Sequence, residues 1–338
     1  MSQVLILGGT SWLGGAVATA SRAAGHEVTA LARGASGTVP PGARLVRADR
    51  ATDGAYAALP GRTAYDLVVD VAREPGQVRG AVRALADRAR HWVFVSSCSV
   101  YASHATPGAG ESADLLPALV ADEGTPQEYG AAKVACEQAV TAGRGSAALI
   151  ARAGLIVGGG DPSERFGYWP GRFALAARDA HPVLVPERTE RPVQWIDVLD
   201  LAEWLLVAGL AGSTGTYNAM GPPVPLGDLL SAAAQVAGFT GTQVPVSDAA
   251  LSAAHIEEFM GANSLPLWIA DPQWSGFLDR DATAAARAGL RSRPLAQTLA
   301  AALAWERQLG LDRARSRAGL DRSRELELLE SLAPQDPR

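Results

Sequence analysis

Gly8-Gly9-Thr10-Ser11-Trp12-Leu13-Gly14 decides the fold. The stretch follows a short apolar run, Val4-Leu5-Ile6-Leu7, and opens a helical pattern over 13–24 that Gly25 stops. A strand passing through a glycine-rich turn into a helix is the opening of a dinucleotide-binding βαβ unit. Small residues let the backbone turn sharply and approach a pyrophosphate, whose charge the helix N-terminus favours. Gly8, Thr10, Ser11, Trp12, Leu13 and Gly14 are therefore the candidate phosphate-loop residues. Ser11 stands where the commonest form of the motif has glycine, which the motif tolerates if the side chain points at phosphate.

Outward from this turn, strand patterns at 28–31, 44–46, 67–71, 92–95 and 147–150 alternate with helical patterns at 77–89 and 128–141. Such alternation predicts a parallel sheet covered on both faces, and right-handed crossovers then give a doubly wound α/β sheet, a Rossmann core. The pattern changes after about Gly158. An apolar segment at 194–198 returns with a helix behind it, 261–277 is aromatic and irregular, and the tail from 294 is helical. Residues 1–158, with 192–220 returning, are expected to form the dinucleotide-binding core. Residues 159–191 and 221–338 are expected to form a smaller, mostly helical C-terminal substrate lobe. The mixed-charge helix at 322–332 reads as a solvated face.

The 338 residues carry a net charge of −5, which leaves no electrostatic footprint for nucleic acid or for an anionic membrane surface. No apolar run reaches the roughly 18 residues of a membrane span. The start has no basic leader, so a cytoplasmic protein is expected. Cys98, Cys136 and five scattered histidines make no metal-ligand spacing, and no metal is expected.

The second strand ends Leu31-Ala32-Arg33-Gly34. An acid there would accept from a ribose 2′-hydroxyl, whereas an arginine pairs with a 2′-phosphate, so Arg33 favours NADP(H) over NAD(H). Asp49, after the third strand, is placed to contact the adenine. The chain holds a single lysine, Lys133, four residues after Tyr129 on one helical face. A free tyrosine has a pKa of about 10. A nearby ammonium and an oxidised nicotinamide favour the phenolate, which fits the phenol for general acid–base work at neutral pH. Ser96-Ser97-Cys98-Ser99-Val100-Tyr101 follows the strand at 92–95, at the sheet end where open α/β folds bind ligands. A serine hydroxyl there can hold a substrate oxygen.

With these residues the chain resembles the short-chain dehydrogenase/reductase superfamily in its extended form, the NAD-dependent epimerase/dehydratase family. The resemblance covers nearly the whole chain. It rests on 8–14, 96–101, Tyr129 with Lys133, Arg152-Ala153-Gly154-Leu155-Ile156-Val157-Gly158 and Gln194-Trp195-Ile196-Asp197-Val198. It implies Tyr129 as catalytic acid/base, Lys133 as its electrostatic partner and ribose ligand, and Ser97 as the oxyanion-binding hydroxyl. Ser96 is the alternative to Ser97 and a cofactor contact. It also implies a monomer or homodimer acting on a small molecule. Three departures stand out. Cys98-Ser99 replaces the Asp-Glu pair of sugar-nucleotide dehydratases, Ala153 replaces a usual proline, and the Gly-Gly-Thr opening is similar to an atypical branch in which some members have lost catalysis.

The expected activity is an NADP(H)-dependent reduction of a carbonyl or imine of a small metabolite, with Tyr129 supplying the proton. The alternatives are a cofactor-retaining epimerase of a sugar-nucleotide-like substrate and a non-catalytic binding protein of the same fold. In the lobe, Tyr168, Trp169, Trp268 and Trp274 are candidates for an apolar pocket wall, or for core. Arg165, Arg172 and Arg188 are candidates for a substrate anion, and His104 for a substrate contact.

Overall fold

The central strand is β1 (Gln3–Leu7), which pairs in parallel with β2 (Glu27–Ala32) on one side and β4 (Tyr65–Asp70) on the other. The protein is described by a computed structural model covering residues 1–61 and 63–332. β3 (Arg44–Arg47) extends the sheet beyond β2. β5 (Ala89–Ser97), β6 (Ala148–Ala153) and the strand Gly215–Ala219 extend it beyond β4, all in parallel. Among the described residues this makes a seven-stranded sheet in the order Gly215–Ala219, β6, β5, β4, β1, β2, β3. The order in which strands are added reverses between β1 and β4, and that switch point opens a crevice at the carboxyl ends of the strands. The expected doubly wound fold is what the molecule has.

Alternation along the strands covers both faces. Val4 and Ile6 of β1, with Val93 and Val95 of β5, join one core with α1 (Trp12–Ala23) and the helix Val198–Leu210. Leu5 and Leu7, with Trp92 and Phe94, join the other with α2 (Pro75–Leu85) and α3 (Tyr129–Arg144). Each fully buried aliphatic side chain contributes about 1.5–3 kcal/mol, so the two cores carry most of this unit's stability.

Two elements differ from expectation. β5 begins at Ala89, because Ala89 and His91 ladder against Tyr65 and Leu67, and a polar stretch takes strand form when its neighbour supplies the ladder. No strand is expected at Gly215–Ala219, which becomes the edge strand for the same reason, beside β6.

The first compact unit comprises Met1–Ile156, Trp195–Pro222 and Arg280–Ser292. Arg280–Ser292, assigned to the lobe from sequence, thus belongs with the sheet, and Trp204 Nε1 donates to Ala288 O at 3.0 Å. The second unit comprises Val157–Gln194, Pro223–Asp279 and the chain from Arg293 onward. Residues 333–338 of the expected lobe lie outside the described residues.

In the second unit the helix Arg165–Asp179 packs against Leu226–Ala237 and Leu295–Leu309. Tyr168, Trp169 and Trp268 are buried in its core, with Trp169 Nε1 donating to Pro266 O at 2.8 Å; of the four pocket-wall candidates only Trp274 is exposed. Arg172 is buried against Glu325, and Arg188 faces solvent with Glu190, so neither waits for a substrate anion. Arg165 lies over the Phe259 ring at 4.7 Å. The helix Arg322–Leu332 is not a purely solvated face: Glu325 is fully buried, accepts the Leu184 N–H at 2.9 Å and is paired with Arg172.

Candidate active site

The glycine turn builds one wall of a cleft of about 350 Å³ at the switch point. Gly14 sits so close beneath Gly8 that a Cβ there would lie 2.2 Å from the Gly8 carbonyl, so the helix can start against the strand only with glycine. Ser11 does not aim at the cleft as a phosphate ligand. It caps α1, its hydroxyl donating to Gly8 O at 2.8 Å and accepting the Gly14 N–H at 3.2 Å. The serine therefore locks the turn from within. Gly8, Thr10 and Ser11 line the cleft. Leu13 is buried in the core and Trp12 packs on it, so neither side chain lines the cleft.

Arg33 and Asp49 both line the cleft and approach within 4.0 Å of each other. Each is substantially exposed. Arg50 is buried, donating from Nη1 and Nη2 to the two oxygens of Asp70 at 2.8 and 2.9 Å. That pair closes the cleft floor at the end of β4.

Lys133 is buried, and its ammonium donates to Ala72 O at 2.6 Å and Val95 O at 2.7 Å. Those carbonyls lie at the ends of β4 and β5, so the single lysine staples α3 to the switch point. It lies 5.9 Å from the centre of the half-buried Tyr129 ring. Gly130 seats α3 on the serine loop: a Cβ there would lie 2.2 Å from Ser99 O, so the start of α3 rests directly on that backbone.

The serines behave differently from one another. Ser97 Oγ donates to Ser99 Oγ and accepts the Ser99 N–H, both at 3.1 Å. Ser96, expected as a cofactor contact, turns its buried hydroxyl to Glu137, donating to Oε1 at 2.5 Å. Glu137 lies one turn beyond Lys133, and Arg152 of β6 grips it through Nε at 3.0 Å and Nη2 at 2.8 Å. Arg152 also donates to the Tyr101 hydroxyl at 3.2 Å, which donates to Asn218 Oδ1 at 2.6 Å. Sequence reading gave no role to Glu137, Tyr101 or Asn218, and quoted Arg152 without one. The spacing Tyr129, Lys133, Glu137 was the available signal. His104 accepts from Arg280 Nη2 through Nδ1 at 2.6 Å, a contact within the protein.

The model of the NAD dependent epimerase/dehydratase family matches residues 4–219. No curated protein matches the sequence. Among solved structures, the UDP-Glc/GlcNAc 4-epimerase from Campylobacter jejuni is 16% identical, over 91% of this chain and 100% of that chain, with a TM-score of 0.66. The UDP-glucuronic acid 4-epimerase from Bacillus cereus in complex with NAD is 16% identical, over 91% and 99%, with a TM-score of 0.62. The enzyme WbmH from Bordetella bronchiseptica in complex with NAD+ is 19% identical, over 92% and 100%, with a TM-score of 0.64. At these identities the likeness shows the fold. The family match covers more than half of the chain, and the chain belongs to the NAD dependent epimerase/dehydratase family.

Proposed function

We propose that this member of the NAD dependent epimerase/dehydratase family is a cofactor-retaining epimerase acting on a secondary alcohol of a sugar nucleotide. The observation that carries the chemistry is Lys133, the chain's single lysine, held in a buried seat beside Tyr129 and bonded to the carbonyl of Ala72, which lines the glycine-turn cleft. The family and the UDP-sugar epimerases among the structural neighbours support the epimerase reading over net reduction.

The cleft fits a nicotinamide dinucleotide. Its volume is in the range of ligand pockets, and its glycine wall has no room for side chains. The open N-terminus of α1 would hold the pyrophosphate through the backbone of Trp12 and Leu13. When bound, the cofactor supplies a hydride acceptor and donor. Tyr129 takes the substrate hydroxyl proton and later returns it. The Lys133 ammonium stabilises negative charge that develops on either oxygen during that transfer. Ser97, hydrogen-bonded to Ser99, holds the substrate oxygen. Glu137 and Arg152 hold Ser96, and with it the backbone of the serine loop.

For the cofactor we infer NAD. Arg33 alone pointed to NADP, but the fold brings Asp49 to the same mouth. A 2′-phosphate would meet a carboxylate as well as a guanidinium, whereas a 2′-hydroxyl can donate to Asp49. NAD in the named neighbours supports this assignment.

A net NADP(H)-dependent reduction is the second reading, and Arg33 is the observation that favours it. Incubating the protein with NAD and UDP-glucose, UDP-N-acetylglucosamine or UDP-glucuronic acid tests the choice. The expected result is a 4-epimer by NMR without net change in nicotinamide absorbance. Stoichiometric loss of NADPH on a carbonyl panel, with no epimer, would instead select reduction.

A further inference from the structure

The turn between β4 and α2 brings a second cation to the phenol. Arg73 lines the cleft, and its guanidinium carbon lies 5.1 Å from the centre of the Tyr129 ring, nearer than the Lys133 ammonium. The fold treats these two charges in opposite ways. Lys133 is buried and bound to two carbonyls. Arg73 is exposed, and its guanidinium makes no hydrogen bond or ion pair among the described residues.

The backbone around Arg73 is fixed. Ala72 O accepts from Lys133, Arg73 O accepts from Cys136 Sγ at 3.8 Å, Glu74 Oε2 accepts the Gly124 N–H at 3.0 Å, and Gly76 N donates to Asp122 O at 2.9 Å. The fold thus places the Cα rigidly and leaves five N–H donors unspent. An exposed cation–π contact is a weaker partner for that fork than the paired oxygens of a carboxylate or phosphate. Two like charges on one ring also repel, and an anion arriving beside them relieves that repulsion.

We propose that Arg73 is an anion-binding residue of this site, its guanidinium leaving the Tyr129 ring for a phosphate or carboxylate group that the bound ligand brings beside the phenol. This rests on the reading of the cleft as a nicotinamide dinucleotide site. The anion has two possible sources, the cofactor pyrophosphate and an acidic group on the substrate.

Full-length Arg73→Met and Arg73→Lys proteins separate them. NADH titration, followed by its fluorescence, reads the first source. Calorimetric titration of malonate and of methyl phosphate, with and without NADH, reads the second. Arg73→Met is expected to weaken NADH or the small acids by about ten- to a hundredfold, with Arg73→Lys intermediate because it keeps charge but loses the fork. Unchanged affinity of Arg73→Met for NADH and for both acids overturns the proposal. Failure of the unaltered protein to bind NADH would sink the cofactor reading instead, and the acid titrations on the ligand-free protein would still decide Arg73.

Discussion

Two tyrosines in this chain are buried between pairs of arginines, one in each unit. Tyr101 lies between Arg152 at 5.0 Å and Arg280 at 4.2 Å, and Tyr168 between Arg172 at 5.2 Å and Arg315 at 5.1 Å. Buried acids pair with arginines of both sandwiches, Glu137 with Arg152 in the first, and Glu306 with Arg315 and Glu325 with Arg172 in the second. Their outlets differ. The first runs through Glu137, on the helix that carries Tyr129 and Lys133, to Ser96, next to Ser97. The second runs to Asp179, Glu164 and the backbone of Leu184 and Leu320, tying the C-terminal segment to the helix Arg165–Asp179. The same side-chain physics fastens a fold in one place and borders the proposed site in the other. Only the connection to Ser96, beside the serine proposed to hold the substrate oxygen, tells them apart.

Removing one oxygen from each region gives the largest contrast. Tyr129→Phe should lower kcat by about 10²–10⁴-fold, the share of a general acid–base group. Its half-exposed ring should leave thermal stability nearly unchanged. Tyr168→Phe should leave kcat at the parent value. Equal losses of epimer formation in the two variants would erase the distinction.

The acids sharpen it further. Glu137→Gln and Glu325→Gln each strand a buried arginine, at a cost of about 3–5 kcal/mol in urea unfolding. Glu137→Gln should also lower kcat in the folded fraction by about ten- to a hundredfold, because a loosened serine loop misplaces the substrate oxygen. Glu325→Gln should not. A Glu137→Gln enzyme with full kcat would make the first sandwich a fastening as well.

The contrast also marks what the sequence could and could not convey. The glycine turn and the doubly wound sheet were legible because both follow from local rules: a strand into a turn into a helix, and apolar periods of two and 3.6. Lys133 was legible because it is alone. Glu137 shares the face of Tyr129 and Lys133, yet a glutamate at that spacing looks like any solvated residue until β6 sets Arg152 against it. Arg73 is one of many arginines until the turn after β4 lays it on a ring. In the second unit, tryptophan content could not separate core from surface. Trp268 is buried and Trp274 exposed within seven positions, because burial there is set by irregular loops with no period to read.

Arg33 and Asp49, exposed and 4.0 Å apart, are the control for the buried pairs. Breaking a surface pair should change stability by at most about 1 kcal/mol, so any effect there belongs to ligand recognition. Asp49→Asn should move the preference from NADH toward NADPH by about tenfold, because the acceptor for the 2′-hydroxyl loses its charge and with it the repulsion toward a 2′-phosphate. Dissociation constants for both nucleotides check this. A parent already preferring NADPH would return Arg33 to its first reading.

Arg280 makes the first sandwich sensitive to acid. It donates to Nδ1 of His104, and burial, followed by the Arg280 charge, pulls that imidazole down from its ordinary 6.5 to about 4. Above about pH 6.5 His104 is neutral in the folded and unfolded chain and contributes no pH dependence. As pH falls below that value the unfolded chain takes up a proton that the folded chain refuses, so stability declines until about pH 4, where the folded form is protonated too. His104 is only partly buried, and solvent screening reduces the effect to ~1 kcal/mol. His104→Gln keeps an acceptor for Arg280 and cannot titrate, so its Tm should fall less than the parent's between about pH 7 and 4.5. Identical pH profiles for the two proteins would show that the Arg280 contact does not govern His104. Arg172 and Arg315 of the Tyr168 sandwich contact no histidine among the described residues, so Arg172→Lys should leave the slope of Tm against pH in this window unchanged.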